Sequence, residues 1–461
     1  MLEGINQMLN GRILPFLLLA AGLFYALRLR FFHLRRLPEI LRVLTAKNEG
    51  SGVSPFRSLT LALAGTLGVG NIVGVASAIA LGGAGAVFWM WLSALAAMLL
   101  KYAEVLLGLR YRKKVRGEWH GGAPYYIKEG LARRGARGLG IILAALFAVL
   151  CILDSFMTGC SIQSAAVSSA LEGVLRIPSA VSGVILAVIC TALLMRGTGA
   201  VMRVTELLVP VMCGGFLILS FFCMAARPRE IWPALGLIFR DALRPEGAVF
   251  GVGGFLLSRA VRFGTMRGLL SNEAGCGTSP FAHAAADVKS PVEQGFWGIF
   301  EVFVDTILLC TVTAIVIIMN FDAVSELSGN PMMLAIRAYS CAFGGVWARF
   351  VEGFLALSIL CFGFATLLCW AHYGLECVGY LSGKKRYRTL YILLFALMIF
   401  LGATAAEGAL WNIADFVIGA MILIHVPLLC FFSGEVLRET EGYFGTLRLT
   451  KGKKCATIKR K

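Results

Sequence analysis

The sequence predicts an all-α polytopic membrane protein of about eleven transmembrane helices. Three observations predict it. Of 461 residues, 58% are hydrophobic and 15% charged, against about 25% charged in an ordinary soluble domain. The apolar residues fall in long runs, and roughly 20 of them in a row make a helix that spans a bilayer. The charges lie between the runs. Backbone groups in hydrocarbon need internal partners, which leaves helices or closed barrels, and the alternation of a barrel strand is absent.

The expected spans run 13–31, 56–82, 84–110, 140–171, 178–195, 204–225, 249–270, 292–319, 350–380, 388–405 and 409–433. The first apolar run, Ile13 to Leu29, is followed by an arginine-rich segment and no small-residue cleavage site, so it reads as a retained span. The net charge of +17 is spread over the short connections, which is the positive-inside pattern and argues against nucleic acid. With the N-terminus outside, the inner segments 28–57, 110–137, 196–203, 267–289, 384–388 and the tail after 433 hold 32 of the 43 basic residues. The outer segments hold 8. The expected topology is therefore a plasma-membrane protein with N-terminus out and C-terminus cytoplasmic.

One transmembrane domain is expected over 1–461. An extra N-terminal helix (13–31) precedes two sets of five, 56–225 and 249–433, and a basic tail (434–461) closes the chain. Five is odd, so the second set is inverted relative to the first, as in secondary transporters. In both sets the longest internal connection follows the second helix (111–139 and 320–349). In both, the first helix is the interrupted one.

The run Gly65-Thr66-Leu67-Gly68-Val69-Gly70-Asn71 carries the first interruption. Glycine costs about 1 kcal/mol relative to alanine in a helix interior. An unwound turn there would expose N–H groups that suit a carboxylate. It would also expose carbonyls that, with Thr66 and Asn71, suit a hard cation such as Na⁺. The same glycines would equally make a close-packing face between helices. In the span 249–270, Gly253 and Gly254 would break the helix. Arg262 reads as reaching the inner surface from the end of that span; Arg259 either does so or pairs. In the following Ser271-to-Ala285 segment, Asn272 and Glu273 would gate the inner side by pairing with arginines, or form a turn and cap. Asp154, Gln163, Asp305, Thr306, Thr366 and Trp370 lie inside apolar spans, where polar groups usually face the bundle interior. For Asp305 a structural hydrogen bond between helices is the alternative. His283 has no second His or Cys at metal spacing. The 13 cysteines form no CxxC framework and read as small buried hydrophobes. No catalytic or nucleotide motif stands out, so an enzyme is not expected.

Taken together, GTLGVGNIVG (65–74), KYAE (101–104), GGAPYYI (121–127), SNEAGCGTSPFAHAAA (271–286), FVDTILLCTVTA (303–314) and TLLCWAHYGLECVGYL (366–381) resemble the alanine or glycine:cation symporters. The resemblance covers most of the chain. It implies a leucine-transporter-like 5+5 inverted repeat, sodium as coupling ion with no other cofactor, and alanine or glycine as substrate. Matched by motif, it implies substrate contacts on Thr66, Gly68, Gly70, Asn71, Gln163, Gly254, Phe255, Thr366 and Trp370. Gln163 would orient either the amine or the carboxylate. A sodium site near Ala64, Leu67 and Thr366 is implied by analogy with the fold. The chain departs from the family at Val69, at Leu256 and Leu257, at Cys160 and at Arg57, changes that would reshape the pocket. The rival readings are a carrier of a larger amino acid such as glutamine, and a receptor or channel without coupling.

Overall fold

The computed structural model describes residues 4, 6, 8, 9, 13–46, 52–115, 117–243, 259–405 and 407–458. Helices make up nearly all of it. Short helices at Phe32–Arg35, Leu37–Leu44 and Phe321–Val324 apart, they are in order α1 (Leu14–Arg28), α2 (Pro55–Thr66), α3 (Val73–Gly82), α4 (Ala86–Arg110), α5 (Ala123–Ala132), α6 (Arg137–Leu175), α7 (Ser179–Met195), α8 (Thr198–Ala226), α9 (Ile231–Ala242), α10 (Arg259–Asn272), α11 (Ser279–His283), α12 (Pro291–Met319), α13 (Pro331–Ser340), α14 (Gly345–Leu381), α15 (Lys385–Thr404), α16 (Glu407–Phe431) and α17 (Ser433–Ile458). One antiparallel hairpin, β1 (Lys113–Val115) with β2 (Glu118–His120), joins α4 to α5. Among the described residues seven helices are long and apolar enough to cross a membrane, and the bent pair α2–α3 makes an eighth. The other expected spans are 13–31 and 178–195, which correspond to the shorter helices α1 and α7, and 249–270, of which α10 covers the described part.

α4 is the central post, buried over most of its length. Around it pack α1, α10, α11 and α12. Trp91 Nε1 donates to Thr311 Oγ1 at 2.7 Å and fastens α4 to α12. α2 starts on a Ser54 cap, whose hydroxyl accepts from the Arg57 amide at 3.1 Å, with Pro55 in the first turn where its missing N–H is harmless. Arg57 itself pairs with Glu206 of α8 at 2.8 Å. Two ten-residue helices with proline in the first turn each follow a long helix: α5 after α4, and α13 after α12.

The basic tail is a helix docked under the bundle. Glu435 of α17 takes Arg110 at 3.1 Å, Arg134 at 2.8 Å and the Tyr111 hydroxyl at 2.6 Å. Partial burial alone would raise its carboxyl, but the tyrosine and the two arginines hold it below the usual range.

Helix ends move by a few residues from expectation, and one segment changes meaning. α10 does not end at an inner surface. Its start, at Arg259 and Phe263, lies against Gly82, on the face of the Gly83–Gly85 turn. Arg262, expected at the inner end, is therefore on the opposite face, and Arg259 with it. Arg267, counted with an inner connection, is inside the bundle. The chain stops being helical at Glu273–Thr278 and resumes as α11. Glu273 has φ 51° and Gly275 and Gly277 have φ 93° and 77°. Only glycine adopts that left-handed region freely, so Gly275 and Gly277 belong where they are and Glu273 is strained. The expected break at Gly253 and Gly254, with Phe255, falls outside the described residues.

Candidate functional site

The site is built on the break between α2 and α3, which meet at 66°. Leu67 N closes the last turn on Leu63 O at 2.7 Å, and Gly68 N turns back to Thr66 O at 2.9 Å. A short 3-10 turn, Val69–Asn71, leads into α3. The freed backbone groups find side-chain partners, as a membrane interior demands. Val69 N donates to Gln163 Oε1 at 3.2 Å, and the Thr366 hydroxyl reaches Leu67 O at 3.5 Å. A Cβ at Gly68 would stand 3.0 Å from Gln163 Oε1 and 3.1 Å from Thr366 Oγ1, so no side chain fits without displacing both. Gln163 is itself oriented by a π-helical stretch, Met157–Ser161, which frees Thr158 O to accept from its Nε2 at 3.3 Å.

Against the break lies a cavity of about 90 Å³. Thr66, Gly68, Gly70, Gln163 and Trp370 of the expected site line it, and so does Glu273. The Thr66 hydroxyl is buried and has no hydrogen-bond partner. Trp370 is fully buried and donates from Nε1 to Glu273 Oε1 at 3.2 Å, while Thr278 donates to Oε2 at 2.7 Å. Glu273 thus meets a tryptophan and a threonine rather than the expected arginine. Thr366 stands beside Leu67 O, with Ala64 buried just before the break. A second cavity, of about 250 Å³, lies between the break and α13 and shares Val69, Gly70, Gly74, Ile162 and Arg267 with the first.

Asn71 faces away from both cavities. Its amide donates to Asp305 Oδ1 at 2.7 Å and to Asp305 O at 3.2 Å, while its own Oδ1 is buried without a partner. Asp305 sits on a π-helical stretch, Phe303–Cys310, and also accepts from Ser271 at 2.9 Å and Thr306 at 2.7 Å. Asn272 donates to Thr306 Oγ1 at 3.2 Å and caps the strained turn by accepting from Ala274 N at 3.1 Å. No Lys, Arg or His pairs with Asp305 among the described residues. The result is a buried carboxylate held by the Asn71 amide and by the hydroxyls of Ser271 and Thr306.

Below the break, on the α5 and α17 side, buried charges close the bundle. Lys101 Nζ meets Ser279 at 2.6 Å and Glu301 at 3.4 Å, and His283 meets Glu301 at 3.0 Å. Glu104 accepts the amides of Gly275 at 2.7 Å and Gly277 at 3.2 Å, which ties α4 to the second break.

Several of these groups escaped the sequence reading. Asp415 and Arg267 both line the small cavity. The rule that singled out Asp305, a charge inside an apolar run, applies equally to Asp415, Glu301 and Glu104. Arg267 had no such signal, because the run before it is polar. Only the position of the second break shows that it faces inward.

Residues 1–457 match the sodium:alanine symporter family. The sodium/alanine symporter AgcS of Methanococcus maripaludis is 34% identical over 449 residues, which cover 95% of this chain and 96% of that protein. The probable sodium/glutamine symporter GlnT of Bacillus subtilis is 32% identical over 441 residues, covering 95% and 89%. Among solved structures, a manganese transporter of Eremococcus coleocola superposes with a TM-score of 0.53 at 16% identity, over 85% of this chain and 80% of that one. That likeness concerns the fold.

Proposed function

The chain belongs to the sodium:alanine symporter family, so it is a multi-pass membrane transporter that couples amino acids to sodium and is not an enzyme; from that premise we propose that its cargo is alanine or glycine, moved into the cell by alternating access. The observation that carries this reading is the size of the cavity at the break. About 90 Å³ is far below the roughly 300–1,000 Å³ of pockets for drug-sized ligands. Trp370, packed so closely on Gly159 that a side chain there would collide with it, leaves that wall no room to retreat.

In this reading the zwitterion's carboxylate takes the free Thr66 hydroxyl beside the unwound turn. Its ammonium takes Glu273. Gln163 positions the break rather than the ligand, since Val69 and Thr158 engage both ends of its amide. Sodium, as cargo, has two candidate places. One is at Leu67 O and Thr366, beside Ala64. The other is at Asp305 with the free Asn71 Oδ1, where a cation would neutralise a buried carboxylate that meets no basic side chain among the described residues. Sodium there would hold the 3-10 turn, α10 and α12 together, and coupling is then a difference in its affinity between conformations.

We take the architecture as two inverted sets of five, 56–225 and 249–433, behind one extra helix. The matching ten-residue helices α5 and α13 support this, and so do two breaks that meet at one cavity, one in the first helix of each set. The N-terminus lies outside and the C-terminus in the cytoplasm. Asn272 and Asp305 act within the cation cluster rather than as a separate gate.

GlnT raises glutamine as a second cargo, which the small cavity disfavours. A competition series in proteoliposomes decides: unlabelled alanine and glycine should block labelled alanine uptake. If glutamine blocks it and they do not, the assignment of cargo fails.

A further inference from the structure

The 250 Å³ cavity has a property that the small cavity lacks: Arg267 is the one charged residue among the described residues that line it. Ser77 and Asn330 add two polar side chains, and the rest of its wall is apolar or backbone, including Val73, Ala166 and Met332. A Cβ at Gly70 or Gly74 would meet nothing within 4 Å, so bare backbone also opens onto the space. A guanidinium has five N–H donors. Arg267 Nη2 makes one bond of 3.3 Å to Ser77, and Nε is buried with no partner. Asp415, on the far wall of the small cavity, offsets part of the charge electrostatically. A fixed positive group with unused donors beside an apolar space selects a ligand with a carboxylate and an apolar body.

We propose that this cavity is a second amino-acid site, in which Arg267 holds the carboxylate and the apolar wall holds the side chain. The inference rests on the amino-acid carrier reading and adds a size rule to it. The two cavities share Arg267 at their junction, so a small amino acid docked on Arg267 passes on to the break. One with a long aliphatic side chain fits the 250 Å³ space and not the 90 Å³ one. Leucine is thus a ligand that binds without being carried.

The test is equilibrium binding of labelled leucine and labelled alanine to the purified full-length protein in sodium chloride, with uptake measured in parallel in proteoliposomes. Leucine should bind and compete with alanine uptake without being accumulated. Leucinol, which lacks the carboxylate, should not compete. Arg267→Gln should weaken leucine binding at least tenfold, and Arg267→Lys should retain part of it. Should Arg267→Gln fail to fold, Ala166→Leu, which fills only the larger space, should weaken leucine binding by a similar factor. Thr66→Ala, in the small cavity alone, should weaken alanine binding and leave leucine binding unchanged. The proposal is overturned if leucine does not bind, if leucinol competes as well as leucine, if leucine is accumulated, or if neither Arg267→Gln nor Ala166→Leu alters its binding. Loss of sodium dependence in wild-type alanine uptake would instead strike the carrier reading and leave the leucine binding result standing.

Discussion

Replacing Asp305 with asparagine separates a sodium ligand from a structural hydrogen bond. The substitution keeps the shape and one acceptor for the Asn71 amide, now 2.7 Å away, while Ser271 and Thr306 can turn their hydroxyls to accept from the new NH₂ group. What it removes is a buried charge with no basic partner, whose effective desolvation penalty is several kcal/mol. Without sodium, Asp305→Asn should therefore be at least as stable as the wild type. With sodium the order should reverse. A ligand at about 100 times its Kd stabilises the folded state by about 2.7 kcal/mol. Spread over the unfolding entropy of 461 residues, that is a rise in Tm of roughly 3 °C. Thermal unfolding in matched sodium and potassium buffers measures both effects. The wild type should show the sodium-dependent rise and Asp305→Asn should lose most of it, as should Asn71→Ala through the loss of its free Oδ1. An undiminished sodium shift in Asp305→Asn, or a large loss of stability in potassium, would show that Asp305 is only a structural tie.

Gly68→Ala should insert a methyl group 3.0–3.1 Å from Gln163 and Thr366. Overpacking of that kind costs about 1–3 kcal/mol, so sodium and alanine affinities, measured by binding to purified protein, should fall together by about 5- to 150-fold; an effect on only one would separate the two sites. At the rim, His120 is held to Glu376 at 2.8 Å. That hydrogen bond raises the imidazole above its ordinary value, against an opposing effect of burial, helped by Glu118 and opposed by Arg388. A raised folded-state value means that the latch contributes fully below about pH 6.5, the unfolded value, and is lost as pH rises through the folded one. Hydrogen-exchange protection in the hairpin, taken relative to the intrinsic rate at each pH, should be higher in mild acid than in mild alkali, and His120→Gln should remove that difference.

The fold was legible where the physics is one-dimensional. Long apolar runs dictate helices, and Gly65, Gly68 and Gly70 marked the first break because a glycine-rich run in a membrane helix is costly without a purpose. The break after α10 was not legible. The expected one at Gly253 and Gly254 lies outside the described residues, and the observed turn at Glu273–Thr278 reads in sequence as an ordinary loop; the polar run before it conceals that α10 ends inside the bundle. Moving Arg259 and Arg262 to the opposite face and Arg267 into the interior changes the charge bias from 32 against 8 to 31 against 10, which leaves its direction intact. Asn71 was legible as important but not in its partner, because its contact with Asp305 spans 234 residues and no local pattern announces it. Val69, a departure from the family, lines the cavity with its amide engaged by Gln163.

The measurement that bears most directly on the whole account is uptake of labelled alanine into proteoliposomes holding the full-length protein, with and without an inward sodium gradient. Alanine should accumulate above the external concentration when the gradient is present and only equilibrate when sodium is replaced by potassium. Equal uptake in both conditions, or none in either while glutamine accumulates with sodium, would contradict it.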